Sequence, residues 1–149
     1  MFKDGMKTDL DWKIGTCFYY FLKVFYDATV QLSGVCYPTS PYALYKLFYI
    51  AKAFDLHRDV DMFAQRVELM EAKFKKYWQR VPPLYCAATV LDPRVKLQGV
   101  EYMINGISSR LFVTSDMITI DTVKFDMSSL CDTYSERYAG SHSSTPAPS

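Results

Sequence analysis

Three groups of residues in this chain have types and spacings that could do chemistry. Asp92-Pro93-Arg94 sets a carboxylate beside a guanidinium at the edge of an apolar run, Leu84 to Leu91. Such a pair could in principle hold Mg²⁺ or a phosphate. Metal-assisted phosphoryl transfer, however, needs several carboxylates converging on a pair of ions. The run before Asp92 supplies none, and Glu101 stands well downstream. Asp92 reads better as a helix cap, its side-chain oxygen accepting from free N–H groups, with Pro93 in the first turn of the next helix.

The second group is basic. Lys73, Lys75, Lys76 and Arg80, with Arg66 about two turns earlier, share a helical face with Tyr77 and Trp78 among them. Together with Arg94 and Lys96 they are the candidate contacts to a DNA phosphate backbone. The competing reading is a solvated face balanced by Asp59, Asp61, Glu68 and Glu71, with Glu71 placed to pair with Lys75 one turn on. The third group is aromatic. Tyr19, Tyr20 and Tyr26, then Tyr42, Tyr45 and Tyr49, include rings off the main apolar stripes, suited either to a partner surface or to a broad buried stripe. Trp12 and Trp78 sit at helical positions where core packing is expected.

Other chemistry finds little footing. Cys17, Cys36, Cys86 and Cys131 form no CxxC pair, and His57 and His142 complete no zinc spacing, so free thiols and no metal site are expected. Glycine-rich phosphate loops and the GxSxG nucleophile motif are absent from the sequence. No catalytic residue, cofactor or small-molecule substrate is indicated.

These residues must be positioned by the elements around them. The chain has 149 residues, 50% hydrophobic and 22% charged, a globular composition. One domain of this size buries about 70% of its unfolded surface. Aromatic residues make up 16%, a surplus that one small core need not hide. The net charge of +1 gives no global attraction to nucleic acid, so any DNA contact must be local. Met1 to Leu10 lacks the apolar centre of a signal peptide, and no apolar run nears the roughly 20 residues of a membrane helix, which predicts a soluble, intracellular chain with no membrane partner.

Apolar spacing of three and four predicts an all-α bundle of about five helices. A first helix is expected from about Leu10 to Leu32, capped by Asp9 or Asp11 and closed by Ser33-Gly34, with Gly34 left-handed. Ser40 as cap and Pro41 then open a helix to about Leu56. A third runs from about Asp59 to Arg80, with Phe63, Val67, Met70, Phe74 and Tyr77 on one stripe, until Pro82-Pro83 stop it. Leu84 to Leu91 is too short for periodicity to decide and is expected as a buried helical turn or helix. Pro93 to about Ile107 follows, and Asp116 to Tyr138 is last, its inward stripe being Ile120, Val123, Met127, Leu130, Tyr134 and Tyr138. Residues 1–9 read as a lead-in, 10–139 as the folded region and 140–149 as a disordered tail.

Three segments in order carry a resemblance: FLKVFYDATVQLSGVCYPTS (Phe21 to Ser40), MEAKFKKYW (Met70 to Trp78) and LDPRVKL (Leu91 to Leu97). Together they closely resemble plant hAT-superfamily transposases of the zinc-finger BED and RICESLEEPER-like kind, in the RNase-H-fold region preceding the C-terminal dimerisation segment. The resemblance covers roughly Leu10 to Tyr138 and implies the helical part of an RNase H-like core. A full-length relative has a DNA-binding BED zinc finger and a catalytic set of two aspartates and one glutamate on metal ions. None of these matches a position here, so the resemblance implies a non-catalytic fragment, Asp92 being a family signature and not a catalytic aspartate. It also implies a nuclear location, with DNA or a transposase-derived relative as partner. Pro41, where relatives carry a polar residue, and Val95, where an aromatic usually follows LDPR, depart from the pattern.

Overall fold

The computed structural model describes residues 8–36, 38–60, 64–79, 83–111 and 118–139. Among these residues it is all-α: six helices and no strand. They are α1 (Asp9–Leu32), α2 (Ser40–His57), α3 (Ala64–Trp78), α4 (Pro83–Val90), α5 (Lys96–Leu111) and α6 (Ile120–Ala139). The run from Leu84 is thus a full helix, α4, opened by Pro83, whose missing N–H costs nothing in a first turn. Pro82 and the tail from residue 140 lie outside the described residues.

α2 is the axle of the bundle and packs against α1, α3, α4 and α5. Its sequence explains this, because Leu44, Phe48, Ile50, Ala51, Ala53 and Phe54 point around much of the helix and all are buried. A helix apolar on so many sides must be surrounded. Phe54 joins three helices: its ring lies 5.9 Å from Phe21 and 5.7 Å from Phe25 of α1, and 5.4 Å from Phe74 of α3. α4 is fastened to the start of α2 by Thr89, fully buried, whose hydroxyl reaches Tyr85 O at 2.7 Å and Pro41 O at 3.2 Å. α5 turns Val100, Met103, Ile104, Ile107 and Leu111 inward, as its spacing predicts.

Helix starts are corrected in detail. α1 is capped by Thr8: its Oγ1 accepts from the Asp11 N–H at 3.3 Å, and Asp11 Oδ2 accepts from the Thr8 N–H at 2.8 Å. Asp11 therefore completes a capping box as its third residue and is not the cap itself. At the other end Ser33 donates its N–H to Thr29 O at 3.0 Å with φ −84°, and no described glycine has a positive φ. The chain leaves α1 without the left-handed glycine the sequence suggested. Thr39 stands at the N-cap position of α2, one residue before the expected Ser40, and makes no side-chain cap hydrogen bond.

Three expectations about burial fail, the first at Tyr77, which was expected on the inner stripe of α3 and is 73% exposed. Trp12 is 64% exposed. It stands nine residues before Phe21, two and a half turns away, and so on the opposite side of α1. In α6 only Val123 is buried, with Ile120 and Met127 packed against the core. Leu130, Tyr134 and Tyr138 continue the same stripe but are exposed, and every residue from 128 to 139 is exposed. The periodicity is real there, but α6 has run past α4 and α5.

Candidate nucleic-acid interface

On α3, Arg66, Leu69, Lys73 and Lys76 follow one another at spacings of three, four and three, so they form a single outward stripe. All four are exposed, as is Tyr77 beside them. Lys73 and Lys76 have no ion pair among the described residues. The inward face explains how the stripe is held. Val67, Phe74 and Trp78 are buried, and the Arg66 guanidinium lies 5.7 Å from the centre of the Phe18 ring of α1.

Lys75 belongs to a different set. Its Nζ is 2.9 Å from Glu71 Oε1, the one-turn pair that the sequence offers. Glu71 itself is buried at 6% exposure, and its second oxygen takes Arg58 Nη2 at 3.1 Å. Arg58 Nη2 also donates to Arg110 O at 2.8 Å, tying the end of α2 to the end of α5. A buried carboxylate met by two cations is satisfied electrostatically. Glu71 consequently neutralises Lys75 and Arg58, and not the outer stripe. Arg80 lies outside the described residues.

Arg94 and Lys96 are placed by the turn before α5. Asp92 does not cap that helix, which begins three residues later than Pro93, at Lys96. Instead its Oδ1 accepts the Arg94 N–H and Nε, both at 3.0 Å, while Oδ2 accepts Arg94 Nη2 at 2.7 Å. A short side chain closing a turn onto the N–H two residues on is a favoured alternative to capping. Arg94 Nη2 also reaches the Tyr42 hydroxyl at 3.3 Å, and the guanidinium stands 5.8 Å from the Tyr42 ring centre. Lys96 is exposed and left-handed, with φ 57°.

The side-chain hydrogen bonds of Arg94, and its backbone N–H, hold the Asp92 carboxyl down at about 2, against an ordinary 3.8. A depressed carboxyl favours the folded turn above the ordinary pKa and loses that preference as the pH falls through about 2. A carboxyl-carbon NMR titration is expected to place the Asp92 midpoint near pH 2 and to move it upward in Arg94→Ala. An unchanged midpoint in that variant would remove the guanidinium as the cause.

The five expected contacts among the described residues therefore do not form one patch. Arg94 is anchored on Tyr42 at the start of α2, whereas Lys75 is anchored through Glu71 on Arg58, just beyond its end. Sixteen residues of helix separate those anchors, about 24 Å. Lys73 and Lys76 lie on the outward side of the second group.

No three His, Cys, Asp or Glu side chains among the described residues are grouped to hold a metal ion. His57 Nδ1 lies 2.8 Å from Ala53 O, its ring against Phe21. The four cysteines are free; burial pushes the Cys86 thiol up to about 11, which keeps it protonated and unreactive at neutral pH. No helix among the described residues is long and apolar enough to cross a membrane.

Sequence reasoning did not find Arg58, whose partner Glu71 is 13 residues away. It also missed Lys52 and Tyr102, which share a groove with Arg94. Only the one-turn spacing of Phe48 and Lys52 hinted at that grouping. No curated protein and no solved structure matches the chain. The family model for the hAT-like transposase, RNase-H fold, matches residues 48–134, which span α3, α4, α5 and most of α2 and α6. That match covers more than half of the sequence, and on it this chain belongs to the hAT-like transposases.

Proposed function

We propose that this transposase-derived chain is a non-catalytic helical module that holds duplex DNA in the nucleus, with the phosphate backbone on the outer stripe of α3. The observation that carries the reading is the exposure of Lys73 and Lys76 on one stripe with Arg66, without a facing carboxylate partner for either lysine. Glu71, the acid best placed by sequence to neutralise that face, is turned inward to Arg58. The reading assigns no catalysis, because the well-placed carboxylates serve cations of the fold: Asp92 holds Arg94, and Asp55 lies near Arg58 and Arg110.

Binding of the whole chain to a labelled duplex over a range of salt tests this. Each phosphate contact contributes about 0.9 to the slope of log K against log salt. The Lys73→Glu/Lys76→Glu variant is expected to lower that slope by about 2 and to weaken binding more than tenfold at low salt. A folded wild-type chain that does not bind, or a variant that binds equally, would sink the reading.

A second reading rests on α1. Trp12, Tyr19, Tyr26 and Val30 repeat at seven, seven and four residues on the side opposite Phe21, and each is more than half exposed. Such a face suits a protein partner, for which a transposase-derived relative is the natural candidate. Association that persists in high salt and is lost in Tyr19→Ser/Tyr26→Ser would favour it over DNA binding.

A further inference from the structure

A groove of about 410 Å³ between α2 and α5 is floored by a continuous row of aromatic rings. Tyr45 and Tyr49 stand 4.7 Å apart between centres, with their hydroxyls 3.0 Å apart. Phe48 follows, 5.9 Å from Tyr49 and 5.5 Å from Tyr102 on the facing helix. Phe48 is buried beneath, whereas Tyr45, Tyr49 and Tyr102 are 45%, 40% and 66% exposed. The three tyrosines thus present exposed ring surface over a buried Phe48.

Cations edge this floor. Lys52 follows Phe48 by one turn of α2, Arg94 stands in the turn before α5, and Arg110 lies near the end of α5. No carboxylate lines the groove among the described residues. The acids that meet the two arginines stand outside it: Asp92 holds Arg94, and Asp55 lies 3.7 Å from Arg110. Arg94 keeps its Nη1 without a hydrogen bond among the described residues and is 69% exposed, so one edge of the guanidinium remains available. Arg110 is committed differently, bonded to Gly106 O at 2.8 Å and lying 5.2 Å from the Phe48 ring centre. Lys52 is exposed and has no ion pair among the described residues.

Exposed aromatic rings in a row, bordered by cations, match a strand whose flat bases alternate with negative charges. In a duplex the base faces are stacked on one another and cannot reach these rings. We propose that the groove binds an unpaired polynucleotide strand, with bases stacked on Tyr49 and Tyr102 and phosphates against Lys52 and Arg94. The site is separate from the α3 stripe and does not depend on it.

Fluorescence anisotropy of the whole chain with labelled oligodeoxyuridylate, and in parallel with oligouridylate, which share a base and differ only in the sugar, tests this. Tyr102→Ala is expected to weaken binding about tenfold, within the range found for losing one stacking ring. Tyr102→Phe is expected to hold affinity, and Lys52→Ala to lower the salt slope by about 0.7. Tyr102 is two-thirds exposed, so its truncation leaves the fold intact, checked by helical ellipticity. A preference between the two strands identifies the sugar read by the site, and equal binding assigns it to either; both support it if Tyr102→Ala weakens the arm that binds. Wild type that binds neither strand, or Tyr102→Ala that binds both unchanged, would overturn the proposal. The Lys73→Glu/Lys76→Glu variant separates the two sites, since it is expected to lose duplex binding and keep strand binding. Strand binding lost in that variant and kept in Tyr102→Ala would place the strand on α3 and refute the groove.

Discussion

Trp78→Ala is expected to lower the stability of the chain by about 3–5 kcal/mol, the range for truncating a large buried ring. Trp78 closes α3 and has no exposed surface. Its removal would open a cavity within the same cluster that holds Phe54, Phe74 and Val67. A domain of ordinary stability has only about 5–15 kcal/mol to lose. For a chain of this length the melting temperature should fall by roughly 6–20 °C. The indole Nε1 refines the expectation, for it is buried without a hydrogen-bond partner among the described residues. Phenylalanine removes that unpartnered donor while keeping most of the ring, so Trp78→Phe should cost much less than alanine. Trp12→Ala provides the control. The same residue type, 64% exposed, should cost less than about 1 kcal/mol. Thermal melts of the three variants decide the matter, and a Trp78→Ala chain melting within a few degrees of wild type would show that the α3 end is not part of the cooperative core.

Gly106→Ala should destabilise despite improving helix propensity. Alanine in a helix interior gains about 1 kcal/mol over glycine. At this position, however, the added Cβ would lie 2.5 Å from Phe48 Cε2 and 2.9 Å from Arg110 Nη1. Phe48 is 8% exposed and carries Tyr49 and Tyr102 against its ring, so it has little room to withdraw. Overpacking of this kind costs about 1–3 kcal/mol, and less the propensity gain the net expectation is a loss of up to about 2 kcal/mol. Gly99→Ala is the informative comparison. Its Cβ would meet only Val95, at 2.6 Å from Cγ1, a half-buried side chain in the turn before α5. That methyl can turn away, so the cost should be smaller. Denaturant titration of both variants measures the difference, and Gly106→Ala as stable as wild type would mean that α2 and α5 can separate freely. Because Phe48 floors the aromatic groove, the same variant should also disturb strand binding there.

The helices and their inner faces were legible because they follow from local spacing. Phe21, Val67, Val100 and Val123 fall where a three-and-four rhythm puts them, and all are buried. The pairing of Glu71 with Lys75 was legible for the same reason, being one turn long. What depended on tertiary distance was not. Arg58 finds Glu71 across 13 residues and Arg110 O across 52, relations that no periodicity encodes. Asp92 illustrates a choice between two local solutions: the cap was the commoner use of an aspartate before proline, but Arg94 supplied both an N–H and a guanidinium within reach. Trp12 was misplaced by residue type alone, although its position opposite Phe21 follows from counting turns. The stripe on α3 was legible as a charged face, but which of its lysines were engaged was not, because that rests on where Glu71 points. The groove was only half legible, since Tyr45 and Tyr49 announce themselves on α2 while Tyr102 joins them from another helix.

The outer half of α6 sets a different kind of boundary. Residues 128–139 are helical yet each is exposed, so their order draws more on backbone hydrogen bonding and local propensity than on the bundle. A helical stretch of about a dozen residues with no packed face is marginal in water. It continues from a half anchored by Val123 and Met127, and this continuity removes the nucleation penalty without adding cohesion. The chain that is helical is therefore longer than the chain that melts as one unit, and the end of the cooperative body falls in the middle of a continuous helix.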